Sequence, residues 1–253
     1  MLGRLLLVPN ALDFGAVAPA EAADLNEVLP LGVIRTAARL EHWVAENAKT
    51  TRAFLKRVDA IVPLARPLQE ISITELPRPA KGRPGATVDP SPLLAPALQG
   101  ADIGLISEAG LPAVADPGAL LVKAAHALGI EVTPLAGPSS LLLALAASGL
   151  NGQSFAFVGY LPVDTVERAS RIRELEAQSR RSGQTQLMIE TPYRNEVLMA
   201  ALLTHLQDGT RLSVSCALTL PDGFTRTDTV ALWKGRPTRL PNDRPAVFAL
   251  LAG

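Results

Sequence analysis

The sequence predicts an α/β fold in two domains: a parallel-sheet N-terminal domain, residues 1–136, and a mixed-sheet α+β C-terminal domain, residues 137–253. Three observations lead there. Apolar runs alternate with helical stretches through the middle of the chain, the pattern of a parallel sheet covered by helices. Past residue 150 the later runs follow one another across short turns instead, which suggests antiparallel pairing. Of 253 residues, 48% are hydrophobic, enough for two modest cores.

Each element has its own signal. Residues 5–8 read as a buried strand, and 9–15 as the loop at its carboxyl end. Residues 50–58 read as a helix. The Pro- and Gly-rich stretch 78–92 reads as a loop bearing Arg78, Lys81 and Arg83. Residues 103–106 form a short apolar strand, followed by a loop over 107–115. Asp116 is expected to cap the next helix, with Pro117 at its first position. Leu120, Leu121, Ala124 and Leu128 share one face of that helix, and Gly129 stops it. Residues 130–135 are the next strand. Gly137-Pro138 turns the chain, and Ser139 or Ser140 caps a helix ending at Ser148. The second half reads as strand 155–160, charged helix 165–181, strand 186–190, helix 193–207, and strands 211–218, 225–233 and 246–251. Pro221-Asp222-Gly223 supplies the turn between the first two of those last strands.

Composition excludes several classes. Lys plus Arg and Asp plus Glu both total 24, so no global field draws nucleic acid or membrane, and an RNA partner would need a local basic patch. Cys216 is the single cysteine, so no internal disulfide forms and a reducing, cytoplasmic setting is expected. Residues 1–8 lack a signal-peptide layout, and no uncharged apolar run reaches the ~20 residues a bilayer requires. His42, His126 and His205 show no ligand spacing, so no metal is expected. Phosphate-loop, Gly-x-Gly-x-x-Gly and Gly-x-Ser-x-Gly motifs are absent.

Five motifs occur in order: Ser107-Glu108-Ala109-Gly110-Leu111-Pro112, Asp116-Pro117-Gly118, Pro134-Leu135-Ala136-Gly137-Pro138-Ser139-Ser140, Gly159-Tyr160-Leu161-Pro162 and Glu190-Thr191-Pro192-Tyr193-Arg194. The series resembles the ribosomal RNA small-subunit methyltransferase I family, a branch of the tetrapyrrole-methylase superfamily. The resemblance implies a two-domain tetrapyrrole-methylase-like fold, S-adenosyl-L-methionine held in a cleft between the domains, and a homodimer. Its nearest activity is 2′-O-ribose methylation of ribosomal RNA. There are departures. The family's Thr-Pro-Ile-Gly-Asn loop is Pro9-Asn10-Ala11-Leu12-Asp13 here, its Glu-Asp-Thr-Arg element is Glu46-Asn47-Ala48-Lys49, and its Ser-Asp-Ala-Gly loop carries Glu108. They mark a divergent branch.

The resemblance places the cofactor near Pro9, Glu108, Gly110, Leu111, Ser139, Ser140, Met188, Ala217 and Ala246. Ser139 and Ser140 can also serve as plain helix caps. Glu46 and Lys49 are the candidate catalytic pair, a carboxylate to take a hydroxyl proton and a cation to orient phosphate; the other reading is a solvated helix start. Glu190 and Arg194 either pair structurally or meet substrate. Arg78, Lys81 and Arg83 are candidate phosphate contacts, whereas the arginines of helix 165–181 are interleaved with Glu167, Glu174 and Glu176. Two other activities stay open: methylation of a small tetrapyrrole-like molecule, and cofactor binding without catalysis by an interaction protein.

Overall fold

The computed structural model describes residues 1–13, 24–77 and 88–253. They divide into two compact units, Met1–Ser139 and Ser140–Gly253.

The first unit runs β1 (Arg4–Val8), α1 (Leu25–Val28), α2 (Leu31–Arg39), β2 (His42–Ala45), α3 (Ala48–Asp59), β3 (Ser72–Glu75), α4 (Ala95–Leu98), β4 (Ile103–Ile106), α5 (Ala119–Ala127) and β5 (Glu131–Pro134). Its five strands lie in the order β3-β2-β4-β1-β5, and every pairing is parallel. Alternating side chains divide the core into two layers. Leu6, Val8, Trp43, Ala45 and Ile106 face the layer that holds Val33 and Ile34 of α2 and Phe54, Leu55 and Val58 of α3. Leu5, Val44, Ile103 and Leu105 face the layer of Leu94, Ala97 and the α5 residues Leu121 and Ala125. Gly104 is required for this packing: a Cβ there would lie 2.8 Å from the Trp43 ring.

The second unit runs α6 (Ser140–Ser148), β6 (Phe155–Phe157), α7 (Thr165–Ser182), β7 (Thr185–Glu190), α8 (Asn195–His205), β8 (Arg211–Cys216), β9 (Phe224–Thr229), α9 (Val230–Gly235) and β10 (Ala246–Leu251). The strand order is β6-β7-β10-β8-β9; β6 runs parallel to β7 and the rest are antiparallel. Ile172 and Leu175 of α7, Leu198 and Leu202 of α8 and Trp233 of α9 fill one face. Leu141, Ala144 and Leu145 of α6 cover the other. Cys216 is fully buried at the end of β8, and that burial pushes its thiol up to about 11.

The α/β fold, parallel sheet and mixed sheet are as the sequence predicts. Two local expectations fail. Asp116 does not cap α5: Gly118 occupies the cap position and the helix begins at Ala119. Asp116 stays in the loop, facing Glu46 and Ser107, and the Pro117 carbonyl accepts the Ala113 N–H instead of opening a helix. Residues 225–233 are not one strand. Thr229 ends β9, and its side chain accepts the Leu232 N–H to start α9, so apolar periodicity continues through a change of element. The α2, β2 and β3 elements have no counterpart among the sequence expectations, because each is short and its apolar residues form no long periodic run. Among the described residues no helix is long and apolar enough to cross a membrane.

Candidate functional site

In the first unit, the chain leaves β1 toward β2 in one direction and leaves β4 toward β5 in the other, while β1 and β4 are neighbours. That is a topological switch point, where open α/β sheets bind ligands at the carboxyl ends of their strands.

The loops there are fastened to one another. Asn10 and Gly110 exchange backbone hydrogen bonds of 2.9 and 3.1 Å, joining the loops beyond β1 and β4. The Asn10 side chain donates to the carbonyl of Glu108 at 3.0 Å and of Ser107 at 3.3 Å. On the other side of β1, a Cβ at Gly137 would lie 2.2 Å from that of Pro9, so only glycine lets the β5 loop press against the β1 loop. Gly110 takes φ 67°, a left-handed conformation, as do Ala113 and Ala115 at 65° and 63°. Left-handed alanines cost about 1 kcal/mol each, and such strain collects at functional loops.

The β2 loop adds the charge. The Glu46 carboxylate accepts the Glu108 N–H at 3.1 Å. Asn47 caps α3, accepting the N–H groups of Lys49 and Thr50, while its amide donates to the Glu108 carboxylate at 3.0 Å. Asp116 completes a carboxylate trio. Its burial, then the Glu46 charge, push it up to about 7; the Ser107 hydroxyl partly offsets this, and Glu108 adds to it. Among the described residues no lysine or arginine forms an ion pair with Glu46, Glu108 or Asp116. Nearby, the Asp13 carboxylate, almost wholly buried, meets Arg57 at 2.8 Å and ties the β1 loop to α3.

Such a site suits a cationic ligand. Three neighbouring carboxylates repel one another, and a positive group would relieve them. S-adenosylmethionine carries a sulfonium and an ammonium, so the donor set fits it.

The predicted residues distribute as follows. Pro9, Glu108, Gly110, Leu111 and Ser139 stand on the loops after β1, β4 and β5, and Glu46 stands beside them. Lys49, two residues beyond Asn47, is exposed on α3. In the second unit, Ser140 opens α6. Ala217 and Ala246 meet at one end of the sheet, where Ala246 opposes Cys216 and the Ala217 N–H donates to the Pro245 carbonyl at 3.2 Å. Met188 opposes Phe248 with its side chain wholly inside the core. Glu190 and Arg194 pair at 3.1 Å within this unit. Arg78, Lys81 and Arg83 lie outside the described residues.

The sequence does not single out Asn10, Asn47 or Asp116 as site residues. An asparagine two residues after a buried strand, and another just before a helix, are the signals that mark loop fasteners.

Comparisons with known proteins agree with this architecture. The model of the family described as Tetrapyrrole (Corrin/Porphyrin) Methylases matches residues 31–232. Three relatives are each named ribosomal RNA small subunit methyltransferase I. That of Mesorhizobium japonicum is 39% identical over 140 residues, 55% of this chain and 46% of its own length. That of Halalkalibacterium halodurans is 31% identical over 161 residues, 64% and 50%. That of Xylella fastidiosa strain Temecula1 is 46% identical over 83 residues, 33% and 30%. The chain thus spans half or less of the length of these curated relatives. The crystal structure of uroporphyrin-III-C-methyltransferase from Thermus thermophilus has the same fold, with TM-score 0.52 and 19% identity over 99% of this chain and 93% of that one. The family model's span over most of the sequence, from α2 to α9, establishes that the chain belongs to the tetrapyrrole (corrin/porphyrin) methylases, a family of S-adenosylmethionine-dependent methyltransferases.

Proposed function

We propose that the chain is an S-adenosylmethionine-dependent methyltransferase acting on ribosomal RNA, with a ribose 2′-hydroxyl as its nucleophile. The relatives' shared name supports the RNA substrate. The observation that carries the chemistry is the carboxylate trio at the switch point, which no lysine or arginine among the described residues neutralises.

Held on these loops, the cofactor would supply a methyl group activated by its sulfonium for transfer to the ribose oxygen. The chain's own groups do the rest. Gly110, Gly137 and the Asn10 bonds hold the loops in one geometry, so that alignment does not have to be found at each turnover. Glu108, held by Asn47, offers a fixed negative charge to a cation. Glu46 is the acceptor for the hydroxyl proton, and Asp116 beside it exchanges a proton near neutral pH. In this reading Pro9, Leu111, Ser139, Ser140, Met188, Ala217 and Ala246 belong to the cofactor site, and Arg78, Lys81 and Arg83 contact phosphate. The enzyme is a cytoplasmic homodimer, and light scattering returning a monomer at micromolar concentration removes that part.

Calorimetry at pH 7 tests the cofactor step. A cation beside Asp116 releases up to about half a proton on binding, visible as a heat that varies with buffer ionisation enthalpy. No heat at millimolar S-adenosylmethionine overturns the assignment. Methyl transfer to small ribosomal subunits in a ribonuclease-sensitive product, resistant to alkaline cleavage at one nucleotide, tests the substrate. A ribonuclease-resistant product redirects the reading to a small molecule.

A further inference from the structure

The α2 and α3 helices together carry six basic residues and one acid, in a chain whose formal charge is zero. Of the six, Arg57 alone forms an ion pair among the described residues. Lys49, Arg52 and Lys56 are exposed at helical spacing on α3, a row with about 5 Å between successive turns. Arg35 and Arg39, four residues apart, are exposed on α2, which packs against α3. The single acid, Asp59, lies at the far end of α3, where its carboxylate accepts the Leu64 N–H. The α7 helix shows what a neutralised surface looks like: five arginines are interleaved with three glutamates, Arg171 pairs with Glu174 and Arg180 with Glu176.

The α3 row also has a fixed relation to the site. It begins two residues beyond Asn47, the side chain that both caps α3 and holds Glu108. The amides at the start of the helix are already used. Ala48 donates to the Glu75 carboxylate at 2.8 Å, and Lys49 and Thr50 donate to Asn47. Anion binding on this helix therefore falls to its side chains.

We propose that the exposed row Lys49, Arg52 and Lys56, flanked by Arg35 and Arg39, is a docking face for the phosphate backbone of an RNA strand. The inference rests on the RNA reading above. A polyanion is repelled by three carboxylates, so a nucleoside presented to them needs its flanking phosphates held aside, and the row starts where the trio ends. Phosphate contacts of this kind position a strand without reading its sequence.

The test uses the full chain and a 20-nucleotide single-stranded RNA, read by fluorescence anisotropy between 50 and 200 mM salt. Both substituted positions are exposed and leave Glu46, Lys49 and the loops intact. The Arg52→Gln/Lys56→Gln variant should bind about tenfold more weakly near 0.1 M salt, and its salt slope should fall by about 0.7 for each phosphate that is no longer neutralised. Arg52→Lys/Lys56→Arg should restore both. Affinity for S-adenosylhomocysteine and the melting temperature should stay at the parent values. Unchanged RNA affinity and slope in the Gln variant overturn the docking face, even if the parent methylates ribosomal subunits. A parent that shows the expected slope and variant effect but methylates no RNA leaves the face standing and removes the functional reading. Equal binding of a poly-glutamate peptide assigns the face to an acidic protein and overturns the RNA proposal.

Discussion

The partly buried acids gathered at the carboxyl end of the first sheet differ from the buried acids of both units, of which Asp13 in the first already pairs with Arg57. In the second unit each buried acid has partners that account for it. Glu176 accepts from the Gln207 N–H and from Thr210, with Arg180 at 3.8 Å. Glu190 meets Arg194 and accepts the Thr191 N–H at 2.8 Å. At the carboxyl end of the first sheet, Glu46, Glu108 and Asp116 are gathered with hydrogen-bond donors but, among the described residues, no base. Both units contain left-handed non-glycine residues after a strand: Ala113 and Ala115 after β4, Ala217 and Thr219 after β8. Strain alone therefore does not single out the first unit, whereas uncompensated charge does. Breaking a buried pair is costly to a fold, whereas an unpaired cluster of acids in a cleft is a candidate ligand site.

The sharpest way to break this comparison is to disturb one acid in each unit. Glu46→Gln should lower methyl transfer by about 10²- to 10⁴-fold, the range for a lost general base, at little cost in melting temperature. Arg194→Met should act in the reverse sense. It leaves Glu190 buried without its cation, costing about 3 kcal/mol, while turnover per folded molecule holds. A loss of turnover from Arg194→Met equal to that from Glu46→Gln, at unaltered stability, would show that both clusters are catalytic.

The pH dependence sharpens it further. Asp116 keeps its proton up to about pH 7 when folded, against an ordinary value of 3.8. The native chain thus binds the extra proton between those values, and this contribution to stability falls as pH rises from about 4 to 7 and stays low above. Asp116→Asn should melt a few degrees above the parent at pH 8, with the gap closing toward pH 4. Thermal melts in matched buffers check this, and a gap that is constant with pH refutes it.

The same contrast between local and distant partners governs what is legible in the sequence. The parallel and mixed sheets are legible because residues 103–106 and 246–251 are apolar runs bounded by loops, and because the Pro221-Asp222-Gly223 turn favours a hairpin between β8 and β9. Glu46 and Glu108 are legible as motif positions. Their mutual bond is not, since 62 residues separate them and only the β2–β4 pairing brings them together. Asp116 misleads as well. Locally, Asp-Pro-Gly is a helix start, but the Asp116 side chain faces the Ser107 hydroxyl instead and Gly118 takes the cap position.

Smaller effects should follow from the strained alanines. Ala115→Gly relieves a left-handed residue in the first unit and Ala217→Gly one in the second; each should change stability by less than about 1 kcal/mol, since relief is offset by entropy gained in the unfolded chain. Only Ala115→Gly should weaken S-adenosylhomocysteine binding measurably, by loosening the loop that carries Glu108. Equal losses from both variants would place loop rigidity on the same footing in the two units.

The buried Cys216 gives the second unit a clock. Its thiol is sealed at the end of β8 and held protonated well above neutral pH, so an alkylating reagent finds no thiolate while the unit stays closed. With one cysteine in the whole chain, every labelling event times an opening of this unit and none of the other. The rate at which the protein acquires label therefore measures how often the second unit breathes, without any probe being added to it.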